Sequence, residues 1–181
     1  LKNSTSQLTQ QQANGNIDIA PWGYVTLTGT DAQLNVFDMT AAQVQSAHSM
    51  GMAINVPTNS AVLINVSGAQ VGFHNFAFAF NGVDKHRLLW NLHEAQDVTL
   101  SGISMEGSVL APHADVVFNS GQWNGQVIAN SFQGGGQMND ALYVDDLIEF
   151  SNNVGAVPGP MPFIAGFALF SAILARRPDS R

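Results

Sequence analysis

Met105-Glu-Gly-Ser-Val-Leu-Ala111 and Trp123-Asn-Gly-Gln-Val-Ile-Ala129 match in residue type, position for position, at an offset of 18 residues. The same offset relates Leu92, Leu110 and Ile128, and also Gly107 and Gly125, Val98 and Val116, and Leu100 and Phe118. Within each copy apolar residues alternate, so the repeating unit is a strand. Gly102, Gly107, Gly121 and Gly125 fall where turns are needed, and glycine accepts positive φ without steric cost. A fixed period of strands and turns predicts a solenoid, whose stacked coils bury what one coil cannot. The expected fold is all-β. It is a right-handed parallel β-helix with coils of about 18 residues, with Leu92, Leu110 and Ile128 in one interior column. The hand follows the rule for parallel crossovers.

Earlier coils read as longer. Val62-Leu-Ile-Asn-Val66 resembles Leu88-Leu-Trp-Asn-Leu92 at a spacing of 26, which makes Asn65 and Asn91 equivalent, in a turn or an inward amide ladder. Within residues 71–80, Phe76, Phe78 and Phe80 alternate with Ala77 and Ala79 and read as a strand packed on one face. Thr40-Ala-Ala-Gln43 has capping-box spacing, and residues 41–47 are good helix formers, so one α-helix covers an edge or face.

The C-terminal region carries a different signal. Val157, Pro158, Gly159, Pro160 and Pro162 precede an uncharged apolar run from Phe163 to Ala175, and Arg176 and Arg177 follow. The stretch from position 157 approaches the ~17–20 residues needed to span a bilayer. The prolines bar a helix before position 162. A basic stop places the arginines in the cytoplasm and the body outside it. A buried C-terminal core helix is the alternative for a run of this length.

Residues 157–181 resemble the PEP-CTERM sorting signal. The departure is Gly159, which stands where that motif carries Glu. The resemblance implies an exosortase-like sorting enzyme as partner, membrane insertion through the C-terminal helix, and export to the envelope or matrix of a Gram-negative-type bacterium. The body has a second resemblance. Asn35-Val-Phe37, Val62-Leu-Ile-Asn-Val-Ser-Gly68, Leu89-Trp-Asn91, Glu94-Ala95, Gly107-Ser-Val-Leu-Ala-Pro112 and Asn124-Gly125 with Ile128-Ala129 are similar to strings of the choice-of-anchor A domain. That family is adhesive and ends in varied anchoring tails. Its usual N-terminal part is not in this sequence and no signal peptide is visible at Leu1, so the mature form or a C-terminal fragment is expected, the fragment being favoured.

Composition narrows the function. The chain has 181 residues, no cysteine and a net charge of −7, which leaves no thiolate metal site or cysteine nucleophile. Outside the tail the only Lys and Arg residues are Lys2, Lys85 and Arg87, too few to neutralise phosphates, so nucleic acid is not a partner.

Candidate chemistry is sparse. His93-Glu94 lacks the second histidine of a zinc motif, since position 97 is Asp, and His113 and Asp115 read as surface residues. Asp140, Asp145, Asp146 and Glu149 are acidic but lack calcium-loop spacing. Asp97 and Asp115 would stack about 5 Å apart on adjacent coils, the one carboxylate pair suited to a polysaccharide lyase or hydrolase. Ser108 lacks a nucleophile-elbow pattern. Among Trp22, Trp90 and Trp123, Trp90 sits in an apolar run. Trp123, beside the Asn124-Gly125 turn, is the candidate glycan contact. Thr26 and Thr28 form no column at the repeat spacing, which speaks against an ice-binding face.

The sequence therefore predicts a lead-in over residues 1–22, a partial β-helical domain over 23–150, a Pro/Gly spacer over 151–162 and a sorting helix with basic stop over 163–181. The expected function is non-catalytic: adhesion or exopolysaccharide association at the surface, with no cofactor and no metal. The alternative is a polysaccharide-active enzyme.

Overall fold

The computed structural model describes residues 2–144. Two helices, α1 (Lys2–Leu8) and α2 (Ala41–Ser46), accompany twelve strands. β1 (Asn16–Ile19), β2 (Val25–Thr28), β4 (Met52–Asn55) and β7 (Phe78–Asn81) form one sheet in that order. β1 runs antiparallel to β2 and the other pairs are parallel, so this sheet is mixed. The second sheet has eight strands, all parallel. Its path is β3 (Leu34–Thr40), β5 (Ala61–Ser67), β8 (Leu88–Asn91), β10 (Ser108–Asn124), β9 (Asp97–Glu106) and β6 (Gln70–His74). β11 (Val127–Gly134) and β12 (Gln137–Asn139) add to β10.

This architecture corrects the β-helix expected from the repeat. The parallel strands form one sheet curled into a half-barrel beside the mixed sheet. Two physical causes stand out. Spacing is uneven: Leu34 pairs with Ala61 and Val62 with Leu88, while the 18-residue offset holds only from β9 through β11. The long strand β10 also does not break at its corner. It pairs with β8 at its start and with β9 over the remainder, and two register shifts around Ser120 bend it without ending it. Gly121, at φ 118°, makes that bend, and a Cβ there would run into the Ile103 carbonyl oxygen. The sorting helix expected over residues 163–181 lies outside the described residues, as does the spacer.

Within the repeat, Asp97–Asp115, Val98–Val116, Leu100–Phe118, Leu110–Ile128 and Ala111–Ala129 are Cα partners. Leu92 is not in that column, because Leu110 pairs with Asn91. Leu92 belongs to the main core between the sheets, with Leu27, Ile54, Phe37, Ile64 and Trp90. Leu110 lies on the opposite face with Leu63, Leu89 and Val36, packed against Ile128, under Leu8 of α1. β5 is thus buried on both faces, which is why Ala61-Val-Leu-Ile reads as a continuous apolar run.

The outer cluster borders a polar ladder. Asn65 donates to Asp38 Oδ1 (2.9 Å), and Asn91 donates to Asn65 Oδ1 (2.8 Å) and to the Thr5 carbonyl of α1 (3.1 Å). These bonds let two buried asparagines face an apolar cluster, and they fix α1 on the sheet. Residues 2–8, expected as a loose lead-in, are helical for this reason: Leu8 and Thr5 supply the buried contacts.

Gly121→Ala forces a side chain into a backbone region that only glycine visits cheaply. It is expected to cost about 1–3 kcal/mol from the backbone alone, read as a lower urea midpoint at unchanged slope.

Candidate ligand-binding surface

α2 starts as its sequence predicts. Thr40 Oγ1 accepts from Gln43 N (3.2 Å), and Gln43 Oε1 accepts from Thr40 N (2.8 Å). Val44 and Ala47 enter the core and seat the helix against β6. The chain leaves α2 through Ser49, at φ 60°. Ser49 N donates to Asn75 O (3.1 Å), Asn75 (φ 52°) donates to Ser101 O (3.0 Å), and Gly102 (φ 62°) donates to Ser120 Oγ (3.0 Å). Three left-handed residues thus line up at one corner, two of them with side chains. Such positions are costly and persist where the surroundings hold them. Here they frame an open cleft of about 610 Å³, lined by Ser49, Met50, Asn75, Phe76, Ala77, Gly102 and Ser104.

Beside this cleft stands the turn between β1 and β2. Gly23, at φ 97°, faces the Ser46 carbonyl and the Met50 side chain, so the turn abuts the end of α2. Trp22 projects from it at 68% exposure, and Met50 is 50% exposed. On the other side of α2 lies a second cleft of about 400 Å³, lined by Gln45, Gln70, Val71, Gly72, His74, Asp97 and Thr99. The His74 ring folds over Gly72, where any side chain would displace it. Its centroid is 6.1 Å from that of His48. Burial, then the nearby His48, holds the His74 pKa below the usual histidine value. Together the clefts flank the stretch from Gln45 to Met50, the first partly apolar through Met50, Phe76 and Ala77, the second polar and holding Asp97.

Sequence-predicted residues are distributed otherwise. Trp123, expected as a surface glycan contact, is 0% exposed. It lies edge-on to Phe118 (5.8 Å), and its Nε1 donates to the Gly107 carbonyl (3.1 Å), so its face is not open to a sugar. Trp90 is core, as expected, with Nε1 donating to Glu106 O (3.0 Å). The exposed ring is Trp22. Its signal was Pro21-Trp22-Gly23, a turn that leaves an indole no core to enter. Asp97 and Asp115 are lateral partners on the outer face. Asp115 accepts from Ser131 Oγ (2.7 Å) and Asn130 Nδ2 (2.8 Å), and these bonds lower its pKa. That is the reverse of what a proton-donating acid requires. Glu94 Oε2 accepts from Gly68 N (2.9 Å), and Glu94 Oε1 lies 3.7 Å from His93 Nε2. Ser108 is buried, and its Oγ accepts from Gln126 N (3.2 Å). Among the described residues no three His, Cys, Asp or Glu side chains converge on a metal position, and no helix is long and apolar enough to cross a membrane. Val157, Pro158, Gly159, Pro160, Pro162, Arg176 and Arg177 lie outside those residues, as do Asp145, Asp146 and Glu149.

An all-β scaffold with open clefts beside a capped helix has the form of a binding module. The comparison with protein families agrees: residues 1–140 match the model described as "Putative Ice-binding-like adhesive domain", and the chain belongs to that family. Membership points to surface adhesion and to a non-enzymatic role. No curated protein and no solved structure matches the chain.

The depressed His74 pKa makes stability pH-dependent with a definite sign. Between the usual value of about 6.5 and the lower folded value, the unfolded chain binds more protons, so stability falls as pH falls through that window. His48→Gln removes one of the two causes and is expected to flatten the slope, measured by urea denaturation at several pH values from 7.5 down to about 5.

Proposed function

We propose that this chain is a non-catalytic adhesive module that holds an extracellular polysaccharide along the clefts beside α2, and that residues 157–181 sort it to the cell envelope or matrix. The observation that carries the ligand reading is Trp22, an indole exposed on the turn that meets Met50, next to a cleft whose walls combine hydroxyl and amide groups with Met50, Phe76 and Ala77. A sugar ring offers the complement: an apolar face to stack on an aromatic and hydroxyls to bond to Asn75, Ser49, Ser104 and, further along, Gln45, Gln70 and Asp97. Preformed clefts with few charges suit a neutral polymer and cost little ordering on binding.

The family description also names likeness to ice binding. The outward rows of the mixed sheet do not favour that ligand. They read Thr26–Ala53–Ala79 and Thr28–Asn55–Asn81, one threonine each. An enzymatic reading rests on Asp97 and Asp115, and the bonds that hold Asp115 ionised weigh against it.

The tail reading rests on the order of prolines, apolar run and arginines. It assigns an exosortase-like enzyme and the membrane as partners.

Trp22→Ala is expected to weaken polysaccharide co-sedimentation by roughly ten-fold or more, about 1.4 kcal/mol, at an unchanged melting temperature, since the ring is exposed. Retained binding would remove the clefts as the site. Deleting residues 157–181 in the host is expected to move the protein from the envelope fraction to the medium. An unchanged distribution would end the sorting reading.

A further inference from the structure

The two ends of the parallel sheet's path, β3 and β6, are covered, while the mixed sheet ends at β1 and β7 with one strand neighbour each. Asn14 closes the outer edge of β3: its Nδ2 donates to Leu34 O (2.9 Å), and its Oδ1 accepts from Val36 N (2.8 Å). α2 packs against β6. The last strands have no such cover among the described residues. β11 and β12 each pair with β10 alone. Phe132, 42% exposed, rests on the buried Trp123 ring at 6.3 Å, and Met138 is 41% exposed.

Proteins usually guard an open edge with charge, proline or a covering element. From Val116 to Asn139 this chain has neither a charged residue nor a proline. Residues 140–144 do not turn back over the edge. Tyr143 N donates to the Gln126 side chain (3.1 Å) and Val144 N to His86 O (2.9 Å), so the chain crosses from the start of β11 toward the start of β8.

We propose that the β11–β12 end docks a second copy of this chain. A two-fold axis beside β11 sets it antiparallel to its counterpart, the isologous arrangement in which one patch serves both partners. Backbone groups unpaired in one copy then pair across the axis, and Phe132 and Met138 pack against their equivalents. The partner is another copy because an uncharged strand edge is self-complementary. Two molecules of net charge −7 repel elsewhere, so salt strengthens this contact. The proposal is independent of the polysaccharide reading, since the clefts beside α2 lie on other strands.

The test is sedimentation equilibrium of the full chain in non-ionic detergent, which keeps the apolar C-terminal residues from associating. A reversible monomer–dimer equilibrium that shifts toward dimer as salt rises is expected. Gln133→Lys with Met138→Lys places like charges across the axis and is expected to weaken dimerisation ten-fold or more at an unchanged melting temperature. If the double variant loses its melt, Gln133→Lys alone carries the test. A chain that stays monomeric at the highest concentration reached, or a dimer whose constant ignores the lysines, would overturn the proposal; the second result would locate association elsewhere, the tail included.

Discussion

Strand β10 is the constraint on which the larger sheet depends. β8, β9, β11 and β12 all pair with it, and β6 joins through β9. A strand that bonds along both edges and turns a corner midway must keep its hydrogen bonds through the bend. The register shifts around Ser120 and the positive φ of Gly121 allow this. The curl follows, and so does the enclosed core of Trp90, Phe118 and Trp123. Had β10 ended at its corner, the same residues would have formed separate faces.

That detail marks the limit of what could be read from the chain. Apolar alternation and the 18-residue offset specify which residues become neighbours, and the register from β9 to β11 follows them. They do not say whether hydrogen bonding continues around a turn, which depends on a few backbone angles at Ser120 and Gly121. Local signals were legible where one side chain has one partner: the Thr40–Gln43 cap and the Asn65–Asn91 bond. Helix α1 was not, because its polar sequence has no apolar period and its place is set by Asn91, far along the chain. The burial of Trp123 was not legible for a related reason. A tryptophan beside Asn-Gly looks exposed, yet Trp123 alternates with Gln122 and Asn124 and therefore faces inward.

The surface that results is polar but thinly charged. The two clefts beside α2 are lined by amides, hydroxyls, the His74 imidazole and the apolar Met50, Phe76 and Ala77, with Asp97 the one acidic group in them. Groups of this kind recognise neutral hydrogen-bonding partners and are little affected by salt. Left-handed Ser49 and Asn75 are braced by hydrogen bonds to the adjoining strands. Open clefts framed in this way favour many modest contacts along a polymer over one deep pocket.

The amide ladder has a mechanical meaning when the domain is pulled by its two ends. Helix α1 is tied to Asn91, at the end of β8, and Val144 is tied to His86, just before β8 begins. Both ends of the described chain are therefore held close to the two ends of β8, and Leu8 of α1 also packs on Leu63 of β5 and Leu110 of β10. Tension applied between them would enter the parallel sheet at its centre, through β8 and the strands beside it. The corner around α2, built from other strands, lies off that load path and keeps its shape while the chain is under strain.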